Sequence, residues 1–395
     1  MVVDTLLDKM PLWISDDAPD AGICVLSQGT LVRNLADFPF AHRCSEDEKR
    51  TIETRVLGVL DNLNLLSSGR YYSFQDLDTK EIRFLAERRL ASHELMFGRG
   101  PRGVYIADDQ SFSIAINSQD HISLRVLQCG MQPQEVWSRL NVLDDTLNSL
   151  LDFSFNERLG FLTTQLSQVG TGLKLGVLLH LPGLTLSGGL AELAGRAEQQ
   201  RLLLHGIRAG GTFEARPERM RLAPVGEEHR PSQSRLNQSF LTDLSGSLST
   251  PISQTEGDLF MLTNTGTLGV SEEEIVFQVR HIASELIAEE RAARELLLNE
   301  NVRVLEDRIG RALGLAGGAR MLNFNEAVGV LSSLRLGIAT GIIQGHTLQQ
   351  VNELLLACQG EHLEMAAGVD CDDYRLSVER ADLFRGRFSS EAKKF

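Results

Sequence analysis

No pair of cysteines with CxxC spacing occurs anywhere in the 395-residue sequence. The five cysteines, Cys24, Cys44, Cys129, Cys358 and Cys371, are scattered. A zinc site or redox motif built on such a pair is therefore excluded. An odd, scattered set suits reduced thiols in a cytoplasmic protein. Positive charge is also short: 39 Lys and Arg against 53 Asp and Glu give a formal charge of -14. Nucleic acid is not expected as a partner, because phosphate contacts need clustered Lys and Arg, and an anionic membrane surface is disfavoured for the same reason. No run reaches the ~18 apolar residues that would span a bilayer. The N-terminal "MVVDTLLDKMPLWISDD" lacks the charged start and apolar core of a signal peptide. Internal repeats, sustained heptads and low-complexity tracts are missing as well.

What is present is a globular composition, 42% hydrophobic, long enough for two domains and an ample core. Ser45 and Glu48 form a capping box ahead of Ile52, Val56, Val59 and Leu60 at helical spacing. A second helix is expected over 78–95. The period then changes: "GVYIADD", "FSIAIN" and "ISLRVLQC" read as short strands between turns. A helix follows between Pro133 and Leu151, and "FLTT", "GVLLHLPGL" and "DLFMLTN" read as further strands. Residues 210–257, with "HRPSQSRLNQ", have no period and read as a long loop. From Ser271 onward the pattern is helical, with capping boxes at Ser271/Glu274 and Thr347/Gln350 and a cap at Asn323 or Asn325. The fold expected is α+β: a mainly antiparallel sheet flanked by helices over 1–280, with a small helical part over about 1–100, then an all-helical domain over 281–395.

Several clusters could carry chemistry. Gly170, Thr171, Gly172 and Lys174 make a small, flexible turn that could cradle phosphate through backbone N–H groups and one cation. The spacing is not that of a GxxxxGK[ST] loop, and a simple strand connection is the plainer reading. Asp120 and His121 could be a base and its orienting partner. Adjacent strand residues point to opposite faces, however, and Asp and Asn commonly tie down turns. The acids at 271–274 fit a helix start, where they oppose the positive dipole end. Leu286, Leu297, Leu305, Ile309 and Leu313 read as core.

Taken in order, "LVRNLADFPFAHRCSEDE", "INSQDHISL", "GFLTTQLSQVGTGLKLGVLLHLPGL" and "LTNTGTLGVSEEEIV" resemble the ATP:guanido phosphotransferases. The helical C-terminal part, with "LRLGIATGII" and "VNELLL", is similar to that of bacterial protein-arginine kinase. The resemblance implies in-line phosphoryl transfer from ATP with Mg²⁺, arginines around the phosphates and carboxylates on the guanidino group. Carried onto this chain, many of those positions have changed. In the first block the phosphate arginines fall at Gln28 and Thr30, beside Ser27, while Arg33 survives. A nucleotide-contacting histidine falls near Arg89. In the second, the catalytic glutamate is Gln119 and an arginine is Ser123. In the third, the cysteine is Gln165 and the asparagine Gln168, Lys174 replaces an arginine, and Gly170 and Gly172 remain. In the fourth, an arginine becomes His205 and the second glutamate Gly210, with Glu214 as a nearby carboxylate. A phosphoarginine-recognition motif keeps only its second half, Arg380 and Ala381.

The expectation is a scaffold without its chemistry: an inactive kinase-like protein with a binding or regulatory role. An active kinase with a rearranged site built on Lys174, His205, Asp120, His121 and Glu214 is the alternative, marked by two carboxylates and two cations in one pocket. An ATP or ADP sensor is a further one. The resemblance also implies self-association, and as partners an active arginine kinase, its zinc-binding activator or a Clp-type unfoldase.

Overall fold

The computed structural model describes residues 3–207, 255 and 257–389. Its centre is an eight-stranded sheet. The strands are β1 (Cys24–Arg33), β2 (Gly69–Ser73), β3 (Gly103–Ala107), β4 (Phe112–Ile116), β5 (Ile122–Cys129), β6 (Leu173–His180), β7 (Leu202–Gly206) and β8 (Leu259–Asn264). They run in the order β2-β3-β4-β5-β1-β6-β8-β7, and every pairing is antiparallel.

One face of the sheet is covered by α1 (Glu46–Asn62), α3 (Pro133–Asn148), α4 (Leu190–Gln199) and α5 (Glu272–Glu300). Leu31, Leu124 and Leu175 point into this layer. Helix α3 lies so close that a Cβ at Gly29 would come within 2.6 Å of Val136 and Leu140. The other face has two coverings. Helix α2 (Thr79–Glu87) and the short helix His93–Phe97 pack Phe84, Leu85 and Leu95 over Tyr72, Val104 and Ile106. The helices α6 (Val302–Gly318), α7 (Phe324–Ala339), α8 (Leu348–Ala357), α9 (Gly360–Ala367) and α10 (Asp373–Phe388) enclose Leu26, Leu127, Leu178 and Met261.

The α+β architecture and the helical C-terminal region are as expected. The capping boxes at Ser45/Glu48, Ser271/Glu274 and Thr347/Gln350 all form, and it is Asn323 that caps α7, accepting from the Glu326 N–H at 2.9 Å. Three expectations change. The first 100 residues are not a helical part: β1 sits in the middle of the sheet, buried along its whole length. A strand covered on both faces loses the alternation that would reveal it. The division at 280 falls inside α5, whose Ile275, Val279, Ile282 and Leu286 belong to the sheet's core. The "FLTT" strand shrinks to Gly160–Phe161, paired with Phe155–Asn156 in a small ribbon. Residues 210–254, with Gly210 and Glu214, lie outside the described residues. Among the described residues no helix is long and apolar enough to cross a membrane.

Candidate functional site

Between the two coverings, part of the second sheet face stays open as a cleft. Its floor is a row across three strands. Arg125 on β5 and Lys174 on β6 are the register partners of Thr30 on β1. Strand spacing puts the two cationic residues' backbones about 10 Å apart, with the threonine between them. Ser123 and Val32 are the next pair along the same face.

The floor is buried and cationic. Lys174 is 3% exposed, its Nζ donates to the Asn264 carbonyl at 2.9 Å, and burial pushes it down to about 8. Arg125 Nη1 donates to the Arg89 carbonyl at 2.8 Å, and burial lowers its pKa against the pull of Glu94. Arg89 is fully buried behind it and donates from Nη1 to Gln28 Oε1 at 2.8 Å. Burial, and then the charge of Arg125, push Arg89 down to about 9. Its Nε and Nη2 have no hydrogen-bond partner, nor does Thr30 Oγ1 on the floor. Arg89 also holds a left-handed backbone, φ 64°, which is strained for a bulky side chain.

The wall is polar. Gln165 Nε2 donates to Gln119 Oε1 at 2.7 Å. Ser92 and Ser118 hydroxyls meet at 3.3 Å. Glu94, Asp120 and Gln168 complete the lining. Asp120 Oδ1 is already occupied, accepting from Asn34 Nδ2 at 2.6 Å and the Thr164 N–H at 2.7 Å. Burial raises the Asp120 pKa. The enclosed space is about 50 Å³, several times the 10–15 Å³ that one water requires.

The other expected site residues lie elsewhere. His121 is a buried tie: its Nδ1 accepts from the Leu35 N–H at 3.0 Å and its Nε2 faces the Pro39 carbonyl at 2.9 Å. Burial pushes it down to about 4, so it stays neutral. The glycine turn itself, residues 170–172, does not line the cleft. The Gly170 N–H donates to the Phe161 carbonyl, the Thr171 N–H to the Thr267 carbonyl and the Leu173 N–H to Thr171 Oγ1. Its glycines are kept by the corner they turn. A Cβ on Gly172, at φ 72°, would lie 2.8 Å from the Val32 carbonyl, and one on Gly170 2.4 Å from that of Thr267. Arg33 clamps the corner, donating to the Thr171 carbonyl at 2.8 Å and to Asp144 at 2.7 Å. Ser27 ties β1 to the Gly130 carbonyl and the Gln132 N–H. Gln28 is spent on Arg89. His205 is buried on the edge strand β7, level with Met261 and Leu178 and away from the cleft. Arg380 is a helix clamp, donating to the Cys358 and Leu322 carbonyls at 2.7 and 3.0 Å, and Ala381 is core.

Among the cleft residues missed in the sequence are its second cation, Arg125, and a second carboxylate, Glu94. Arg125 stands two positions past Ser123, and period-2 alternation alone places both on one face. Glu94 follows Ser92, the N-cap of its short helix. The cationic floor fits a phosphate group. Among the described residues no cluster of His, Cys, Asp and Glu could hold a metal ion.

Comparison with known proteins finds matches over most of the chain. Residues 51–217 match the ATP:guanido phosphotransferase C-terminal catalytic domain, and residues 302–395 the protein-arginine kinase McsB C-terminal domain. The chain is 32% identical over 382 residues to a protein-arginine kinase of Symbiobacterium thermophilum, covering 96% of each. It is 30% identical over 381 residues to that of Pelotomaculum thermopropionicum, again over 96% of each. In fold it is similar to the duplicated taurocyamine kinase of Schistosoma mansoni (TM-score 0.52, 20% identity, 74% of this chain and 37% of that one). It is also similar to a lombricine kinase (TM-score 0.51, 19% identity, 69% and 67%). The chain therefore belongs to the ATP:guanido phosphotransferases and, across nearly its whole length, is a relative of the protein-arginine kinases.

Proposed function

We propose that this chain binds a phosphate-bearing ligand without transferring phosphate, as a catalytically inactive kinase relative with a regulatory role. The observation that carries this reading is the Gln119–Gln165 hydrogen bond in the cleft wall. Transfer to a guanidino nitrogen needs a group that takes up its proton. A carboxamide does not accept a proton at neutral pH and carries no charge to pair with a guanidinium. His121 is held by other bonds, and Asp120 is fixed through Oδ1 by Asn34 and Thr164, which leaves only its Oδ2 without a hydrogen-bond partner. The row Arg125–Thr30–Lys174 supports retained phosphate binding, which favours a nucleotide sensor over an empty scaffold. Its protein partners are proposed among those the resemblance implies: an active arginine kinase, its zinc-binding activator, a Clp-type unfoldase or a second copy of the chain.

One observation favours a second reading. Two carboxylates, Glu94 and Asp120, and two cations, Arg125 and Lys174, line one cleft, which is the composition of a rearranged active site. Mass spectrometry separates the two. The protein is incubated with ATP, Mg²⁺ and an arginine-rich acceptor beside an active family kinase. The first reading predicts no phosphoarginine above background. Labelling that Lys174→Ala and Arg125→Ala abolish establishes the second.

A further inference from the structure

Glu87, which ends α2, and the two residues after it, Arg88 and Arg89, link the C-terminal helices to the cleft. Helix α9 has no side-chain cap of its own at Gln359. Its N-terminus is capped from across the fold by Glu87, whose carboxylate accepts from the N–H groups of Glu361 and His362 at 3.0 and 3.1 Å. The same carboxylate accepts from His362 Nδ1 at 2.7 Å. The other ring nitrogen, Nε2, faces Arg88 Nη1 at 3.3 Å. Arginine only donates, so the imidazole is neutral and wedged between the Glu87 carboxyl group, which burial pushes up to about 8, and a guanidinium. Burial and the Arg88 charge both hold the His362 pKa well below its usual range. The Phe84 ring packs against it at 4.5 Å.

The next residue turns the other way. Arg89, in its left-handed conformation, offers its carbonyl to Arg125 and its Nη1 to Gln28. Ser92 and Glu94, a few residues on, line the cleft themselves. Glu87 and Arg88 thus hold α9, while Arg89 holds a cation of the cleft floor, and no flexible linker separates them. We propose that Glu87 and His362 are positioning residues: docking of α9 sets the Arg89 carbonyl, and through it the place of Arg125, so that ligand binding in the cleft and docking of the C-terminal helices are coupled.

The inference rests on the cleft being a phosphate site, and the test keeps the two claims apart. Hydrogen exchange is measured on the full chain and on Glu87→Gln, His362→Phe and Arg311→Ala, the last altering an exposed ion pair on α6. Pyrophosphate binding is measured by calorimetry on the same proteins. Glu87→Gln and His362→Phe are expected to speed exchange in 360–367, in 89–94 and in 122–129, and to weaken pyrophosphate binding about tenfold, within the range of ordinary coupling. Arg311→Ala changes neither. Reciprocity requires that saturating pyrophosphate slow exchange in 360–367 of the unaltered chain. Faster exchange confined to 360–367, or equal effects from Arg311→Ala, overturns the proposal. If pyrophosphate fails to bind the unaltered chain, the phosphate reading falls, and the exchange pattern alone decides the coupling.

Discussion

Two stretches of one sheet face, carried by the same three strands, do opposite work. Where α6 to α10 cover it, the face presents Leu26, Leu127 and Leu178, and the interior is apolar. A few residues along, it presents Thr30, Arg125 and Lys174, also buried but cationic, with Thr30 Oγ1 and, behind the floor, Arg89 Nε and Nη2 lacking hydrogen-bond partners. Burying polar and charged groups without partners costs free energy. The covered stretch is explained by stability alone; the open stretch is where the proposed phosphate-bearing ligand would bind.

The comparison can be broken first at its apolar end. Leu178→Ala, a truncation at 1% exposure, should cost about 2–5 kcal/mol of stability in urea denaturation. Pyrophosphate affinity of the folded fraction should be little altered. At the cationic end, Lys174→Ala should do the reverse. Removing a charged hydrogen-bond donor is worth roughly 1.5–3 kcal/mol, a loss of ten- to a hundredfold in pyrophosphate affinity by calorimetry, with no fall in the urea midpoint.

Gly172→Ala sharpens the contrast within the glycine turn. A left-handed backbone with a Cβ costs about 1–2 kcal/mol, and the Val32 carbonyl adds a clash. The midpoint should drop while phosphate affinity holds, because the turn does not line the cleft and the amides of Gly170, Thr171 and Leu173 are used internally. A fall in affinity at unchanged stability would instead make the turn a ligand contact. The smallest effect is on pH. Lys174 titrates at about 8 when folded, lowered by burial, so its cation is present below pH 8 and lost above it. Pyrophosphate binding should weaken severalfold between pH 7 and 9, and Lys174→Arg should flatten that profile, since arginine stays charged.

Much of the framework was legible. Helix starts showed because Ser45, Ser271 and Thr347 carry their capping partners three residues on. The strands from Gly103 to Cys129 showed because they alternate with turns. Strand β1 did not, because it is buried on both faces, and α5 hid the domain division by running through residue 280. In the site, motif positions pointed to Gln119, Gln165 and Ser123, which line the cleft. Their contacts were not legible. The amides of Gln119 and Gln165 bond to each other, and Arg125, one strand repeat from Ser123, brings charge to the floor. Distance in sequence concealed the rest: Glu87 and His362 are 275 residues apart. The glycines Gly170 and Gly172 serve a corner clamped by Arg33, in keeping with a simple strand connection.

Phosphorus NMR on the purified chain tests binding without transfer most directly. ATP and Mg²⁺ are followed in the presence of an arginine-rich acceptor protein. The account predicts that the ATP resonances shift or broaden on adding the protein, that Lys174→Ala removes this change, and that no phosphoguanidino resonance grows with time. A growing phosphoguanidino signal that depends on Lys174 would contradict it.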